Sequence, residues 1–358
     1  MANLISWTGL IGGNKGDQGG ATNDANREDL SDLITLTDPY ETPFFSMIQK
    51  GTARHVVHEW LTEGLAATAT GGGTLYAEGA SFSAAGVLGR TRLWNYCEIF
   101  RKDIQVSNTQ RAVIPAGIKD EYLHQIQLAT KEIGRDIEIT LFQGAAGSAS
   151  GSTGALRTMK TLRNFISTNS WTTSSTAIGA TGTTFSGTSW ALGETMFNST
   201  LEQVFLRGGR VDTVFVNGAT KRQISRFTAG AMSANAVVGI SRRNQDSGGK
   251  RLVSAVDTYD SDFGVVSVIL DRFVGQTEGG SGLGTVNPDN RAFFLQMDSF
   301  EISILRPLKH VPLPPGGDAV RGMVLTELTL TSYNEAWSAM VGGIATKPNP
   351  TSDGTLTA

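Results

Sequence analysis

Apolar positions recur every three or four residues along one stretch: Ile118, Tyr122, Ile126, Ala129, Ile133, Ile137 and Leu141. That spacing lays them on one stripe and predicts a long helix from Ala116, with Pro115 tolerated just ahead of it. About 26 helical residues would span roughly 39 Å, the length of a structural spine. Gly134 in its middle costs about 1 kcal/mol relative to Ala, which predicts a close approach by another backbone there.

The pattern changes on either side. Residues 54–62, "RHVVHEWLT", and 93–106, "LWNYCEIFRKDIQV", are rich in β-branched and aromatic types with partial alternation, and predict two strands. The long stretch between them holds Gly71, Gly72 and Gly73 and carries too few apolar residues for a core, which predicts a projecting hairpin. Upstream, residues 1–23 are Gly- and Asn-rich, and "NDANREDLSDLITL" predicts a short helix with acidic residues in its first turn. "TDPYETPFFSMI", Thr37–Ile48, then gathers Tyr40, Phe44, Phe45, Met47 and Ile48 around Pro39 and Pro43. Two close prolines argue against an ordinary amphipathic helix, and so much aromatic area demands a surface to cover it.

After residue 143 the chain becomes small-residue and Gly-rich at 144–155 and again at 172–189, around a modest ordered island, "LRTMKTLRNFISTNSW". Beyond lie a helix over "WALGETMFNSTLEQVFLRGG", a strand over "VDTVFVN" and a helix over "ATKRQISRF". Four strand candidates follow at 252–258, 264–270, 291–297 and 299–306. Two of them, "VVSVIL" and "AFFLQM", are apolar enough to be buried centre strands. "RPLKHVPLPPGG" looks like a proline-rich crossing, and "MVLTELTLTSY" is a last strand with clean alternation. The mixture predicts an α+β fold.

Composition narrows the function. Basic and acidic side chains number 30 and 33, a net charge of −3, which argues against a dedicated nucleic-acid binder. Cys97 is the single cysteine, so no disulfide can form within the chain; on a strand it predicts a buried, inert thiol. "MANLISWTGLIGGNKG" lacks the basic start of a secretory signal, and no apolar run approaches the roughly 20 residues of a membrane helix. These features predict a soluble chain with no membrane partner.

Catalytic motifs are poorly represented. "GGSGLG" misses the nucleophile elbow by one position, and no phosphate loop occurs. "DFG" at Asp262–Gly264 stands without the other kinase motifs. Asp260 and Asp262 lack the rest of a calcium loop. His55 and His58, three apart on a strand, point to opposite faces and are a poor metal pair. The expectation is no enzyme, no cofactor, no metal site.

Several words, in order, resemble the major capsid (major head) proteins of tailed bacteriophages with the Hong Kong 97-type fold. "REDLSDLITLTDPYETPFFSMI" resembles the end of that family's N-terminal arm, and "HEWLTEGL" with "NYCEIFRKDIQVSNTQ" the two sides of its extended loop. "AGIKDEYLHQIQLATKEIGRDIEITLF" resembles the spine helix of its peripheral domain. "ISRF", "YDSDFGVVSVILDRF", "ISILRPLKHVPLPPGGDAVRG" and "LTELTLTSYNEAWSAMVGGI" resemble its axial domain and return strand. The resemblance implies an arm at 1–50, an extended loop hairpin with flanking strands at 51–112, a peripheral domain at 113–145 plus 319–346, and an axial domain at 146–318. It also implies a subunit that assembles with itself into hexamers and pentamers of an icosahedral head shell. That shell would enclose double-stranded DNA by weak, non-specific contact, with scaffold, portal and decoration proteins as further partners. The subunit would be assembled in the host cytoplasm and end in the virion. Tyr40, Phe44, Phe45 and Met47 of the arm and Tyr76 and Phe82 of the loop are the expected interface residues. Some shells of this fold join a loop lysine to a neighbouring asparagine; the stretch Glu63–Arg92 holds no lysine. A tail or decoration protein of a virion, or a secreted Gly/Thr-rich adhesin or hydrolase, is the alternative, and particle mass distinguishes them.

Overall fold

The computed structural model describes residues 36, 38–65, 78–79, 81, 89–113, 117–143, 149–152, 155–171, 192–227, 256–274 and 290–344. The expected helix at 23–36, apart from Leu36, and most of the loop between the two hairpin strands lie outside them. In chain order the arm gives α1 (Pro43–Met47) and β1 (Gln49–Thr52). The hairpin region gives β2 (Val57–Thr62), β3 (Thr91–Tyr96), β4 (Glu98–Ser107) and α2 (Asn108–Ala112). The spine is α3 (Glu121–Gln143), and the island holds α4 (Leu162–Phe165) and β5 (Ser170–Trp171). Then come α5 (Glu194–Leu206), β6 (Thr213–Val216), α6 (Gly218–Phe227), β7 (Thr258–Ser261), β8 (Gly264–Leu270) and β9 (Asn290–Leu295). Two long strands, β10 (Phe300–Leu313) and β11 (Ala319–Ser332), and the short β12 (Ala339–Ile344) complete it.

The spine starts later than the apolar stripe suggests. Asp120 accepts the Tyr122 amide at 2.9 Å, capping the first turn, so Ile118 stands before the helix. Its 23 residues span roughly 35 Å. Ala129, Ile133, Ile137 and Leu141 are buried, as their spacing requires. Gly134 corrects the sequence reading: a Cβ there would meet nothing within 4 Å.

The stripe lies on a four-stranded sheet ordered β1-β10-β11-β4. On β4, Phe100, Ile104 and Val106 turn into the same core by period-two alternation. Lys102 shares that face, and its Nζ meets Asp136 of α3 at 2.9 Å. The proline-rich crossing proves to be the second half of β10, which runs to Leu313. Pro307 falls in a register shift between Arg306 and Lys309. Pro312 lies beyond Ile304, where pairing with β1 ends, so a missing N–H is tolerated on that side.

A six-stranded sheet, ordered β5-β12-β9-β6-β8-β7, separates two cores. Phe294, Val214, Val216 and Val341 pack against Met196, Phe197, Leu201 and Val204 of α5. Phe293, Phe215 and Met340 face the other way, into the core of the spine. "AFFLQM" is thus a centre strand buried on both faces, β9. "VVSVIL" is only half so: β8 leaves Val265 and Leu270 exposed. "DFG" proves to be the turn of the β7–β8 hairpin, where the Ser261 hydroxyl donates to the Gly264 carbonyl at 2.7 Å. The expected single strand at 93–106 is broken at Cys97, where the chain leaves the two-stranded β2–β3 ribbon for the four-stranded sheet.

Candidate intersubunit surfaces

Around Phe44 the described part of the arm packs on its own chain. Phe44 has 0% of its surface exposed, its ring 5.1 Å from that of Phe142 and 5.3 Å from that of Phe215. This corrects the expectation that Phe44 anchors a neighbour: it is enclosed where the spine meets the six-stranded sheet. Pro43 opens the short α1 at a position where its missing N–H costs nothing. Thr42 makes no side-chain cap. The cap comes instead from the spine, where the Glu138 carboxyl accepts the Phe44 amide at 2.7 Å and the Phe45 amide at 2.8 Å.

The other arm residues face outward to different degrees. Tyr40 is 52% exposed, with Lys131 Nζ 4.5 Å from its ring centroid. Met47 is 50% exposed. Phe45 is half-buried beneath Lys50 Nζ, 4.6 Å from its centroid. Tyr76 and Phe82 lie outside the described residues.

The β2–β3 ribbon pairs with no third strand among the described residues. Its inner face is hooked to the body. Trp60 Nε1 donates to the Ser332 carbonyl at 2.8 Å, and Asn95 Nδ2 to the Leu330 carbonyl at 2.7 Å. His58 Nε2 meets Ser303 Oγ at 3.2 Å, and burial lowers the His58 pKa against the pull of Glu301. The outer face is open and mixed: Leu61 is 59% and Trp94 38% exposed, with Tyr96 edge-on to Trp94 and Lys160 Nζ 5.1 Å from the Trp94 ring centroid. Arg92 and Glu59 pair beside them at 3.3 Å. Sequence reading missed this surface, although the register of the two strands could have found it: Glu59 faces Trp94, and Leu61 faces Arg92.

At the ribbon's base Cys97 is fully buried. Burial and the nearby Glu327 push its thiol up to about 11, so it stays an inert thiol at neutral pH. Arg157 donates to the Cys97 carbonyl and pairs with Glu327, which Arg306 also reaches at 2.7 Å. One buried carboxylate between two guanidiniums ties the island to β10 and β11. His55 and His58 do not converge, since the His58 ring points to Ser303 while the His55 Nδ1 takes the Val57 amide.

Comparison with known proteins places this architecture. The SU10 major capsid protein family model matches residues 17–345. The major capsid protein of Escherichia phage Phieco32 is 30% identical over 125 residues, 34% of this chain and 35% of that protein, so the match spans about a third of that relative's length. Among solved structures, Mycobacterium phage Adephagia superposes with a TM-score of 0.55 at 13% identity, covering 88% of this chain and 94% of that one. The capsid of a native GTA particle gives 0.57 at 9% identity, covering 89% and 95%. The holo-SrpI encapsulin complex from Synechococcus elongatus PCC 7942 gives 0.53 at 7% identity, covering 90% and 94%. These likenesses show the expected Hong Kong 97-type α+β fold. The tail, decoration, adhesin and hydrolase alternatives are not favoured. With the spine, the two sheets and the projecting ribbon all inside the matched span, the chain belongs to the SU10 major capsid protein family.

Proposed function

We propose that copies of this structural capsid subunit close into an icosahedral shell of hexamers and pentamers around packaged double-stranded DNA, with no catalytic role. One observation carries the reading. The β2–β3 ribbon is a two-stranded element, marginal alone, whose inner face is hydrogen-bonded to the body and whose outer face offers Leu61 and Trp94 to solvent. A neighbouring copy is the natural cover for that face, in a closed ring of head-to-tail contacts. Tyr40, Phe45 and Met47 would extend the same contact along the arm, with Tyr76 and Phe82 from the loop.

The proposed division keeps an arm to residue 50 and a hairpin region to 112. Sheet membership supports two adjustments: β10 joins the spine's sheet, in the peripheral unit, and β12 joins the six-stranded axial sheet. A net charge of −3 supports weak, non-specific contact with DNA. Scaffold, portal and decoration proteins would complete a virion assembled in the host cytoplasm.

Negative-stain microscopy of the purified protein tests the reading. Shells or capsomers of high mass are expected, and Leu61→Asp with Trp94→Asp should give folded subunits that do not assemble. A small, uniform species from the wild-type chain would overturn it.

A further inference from the structure

Cys97 stands where the chain passes from the ribbon into the four-stranded sheet, between β3 and β4. Its amide donates to the Val56 carbonyl at 2.8 Å, its thiol donates to the His55 carbonyl at 3.5 Å, and its carbonyl accepts from Arg157 Nε. The first two partners belong to the hairpin region, and the third comes from the island. Local structure presents Arg157 there. Ala149 bridges to Thr158 and Ser152 to Ala155, and Gly151 passes so close that a Cβ on it would lie 3.1 Å from the Arg157 side chain.

Arg157 also pairs through Nη2 with Glu327 of β11, and the other oxygen of that carboxylate takes Arg306 Nε of β10 at 2.7 Å. The Glu327 side chain is 5% exposed and that of Arg306 42%. Arg306 stands opposite Glu327 in the β10–β11 register, with an irregularity on each side of it, and its carbonyl accepts the Thr326 hydroxyl at 3.0 Å. The carboxylate next to Cys97 in the chain, Glu98, accepts the Met159 amide at 3.1 Å.

We propose that Arg306 is a positioning residue for the ribbon: by holding one oxygen of Glu327 it keeps Arg157 on the Cys97 carbonyl, and so keeps the base of the ribbon shut. The coupling lies in the guanidinium fork. A buried carboxylate needs donors for both oxygens. Two guanidiniums divide them here, which leaves Arg157 Nε for Cys97. Without Arg306 one oxygen is orphaned, and the side-on fork, in which a single guanidinium gives Nε and Nη2 to the two oxygens, fills it. Arg157 makes that fork only by withdrawing Nε from Cys97. Cys97 then keeps its contacts to Val56 and His55 and loses the one to the island. The Trp60 and Asn95 hooks remain, so the ribbon stays docked and its base opens more often. A change at the irregular, part-exposed stretch of β10 is thus felt at the ribbon through two intervening side chains.

The relay is a property of the single subunit, so its test does not depend on shell formation. Cys97 is the chain's single cysteine and is fully buried, so the rate at which a thiol reagent modifies it counts openings of the ribbon's base. The full-length chain, as dispersed subunits, is labelled in urea below the unfolding transition. The wild-type rate should be nearly independent of urea, because local opening exposes little surface. Arg306→Met should label about tenfold faster with the same flat urea dependence. Arg157→Met should also label faster, and adding Arg306→Met to it should change nothing further, because the relay is already cut. Arg306→Lys and Arg157→Lys keep the charge but not the guanidinium; they should give smaller gains in the same pattern, and they carry the comparison if a methionine variant does not fold. A wild-type rate that climbs with urea like global unfolding, Arg306 variants that label no faster than wild type, or effects of the two substitutions that multiply would overturn the relay.

Discussion

Asn95 and Lys160 bind each other in both directions. Asn95 Nδ2 donates to the Lys160 carbonyl at 3.0 Å, and the Lys160 amide donates to Asn95 Oδ1 at 2.7 Å. The same Nδ2 also reaches the Leu330 carbonyl. One fully buried side chain therefore stands in for a missing strand and sets the angle at which the ribbon leaves the body. Asn95→Ala leaves these backbone groups unpaired, at a cost of about 1–3 kcal/mol each for a buried group. Denaturant unfolding should show a loss of at least the cost of one such group, about 1–3 kcal/mol, with a fall in shell yield at temperatures where the subunit is still folded. An unchanged midpoint would remove Asn95 from this role.

Phe44 and its outward neighbours should separate folding from assembly. Phe44→Ala empties a site enclosed by two other rings and should cost about 3–5 kcal/mol of stability. Tyr40→Asp with Met47→Asp changes exposed positions and should leave the circular dichroism and melting of the subunit nearly unaltered. Its sedimentation should shift from shells toward free subunits. Equal destabilisation by both changes would contradict the outward placement of Tyr40 and Met47.

Gly134 is open to improvement. It lies inside α3, and a methyl group added to its Cα would have nothing within 4 Å. Gly134→Ala should stabilise the chain by about 0.5–1 kcal/mol, through helix propensity and a less free unfolded chain. A rise in the denaturant midpoint checks it; a fall would mean that a partner occupies that space.

No covalent ladder is expected in mature particles. Lys102 is bridged to Asp136 and also lies 3.7 Å from Glu132. The Asp136 hydrogen bond raises its pKa, so the ammonium form persists through neutral and mildly alkaline pH and is no nucleophile. Lys50 is seated over the Phe45 ring. Particles boiled in detergent should run as one band at the mass of the 38.0 kDa chain. A ladder would implicate one of these two lysines.

The spine and the strand β11 are legible in the sequence from their periodicity, and the buried β9 from its unbroken apolar run. What escaped are features held by residues distant in the chain. Nothing near Phe44 says that it faces inward, since its cap, Glu138, is 94 residues away. The prolines of 306–313 mislead because proline weakens only a paired N–H, and sequence does not show where β1 stops pairing. Gly134 misleads the other way, as a helix glycine with no neighbour to justify it. Trp94 and Leu61 read as strand residues, and only the ribbon's register shows that they share an open face.

β1 pairs in parallel with β10, Gln49 beside Glu301 and Thr52 beside Ile304. That pairing also fixes an order of events on the ribosome. At about 5–20 residues per second, the arm waits roughly 10–50 s after its own synthesis before its sheet partner exists. Glu138 and Phe215 arrive at intervals in between, so the arm's seat is completed piece by piece and late. Its aromatic residues are therefore uncovered for most of translation. The contacts that seat it span most of the chain, which makes this a slow-folding topology whose final step is the closing of its own beginning.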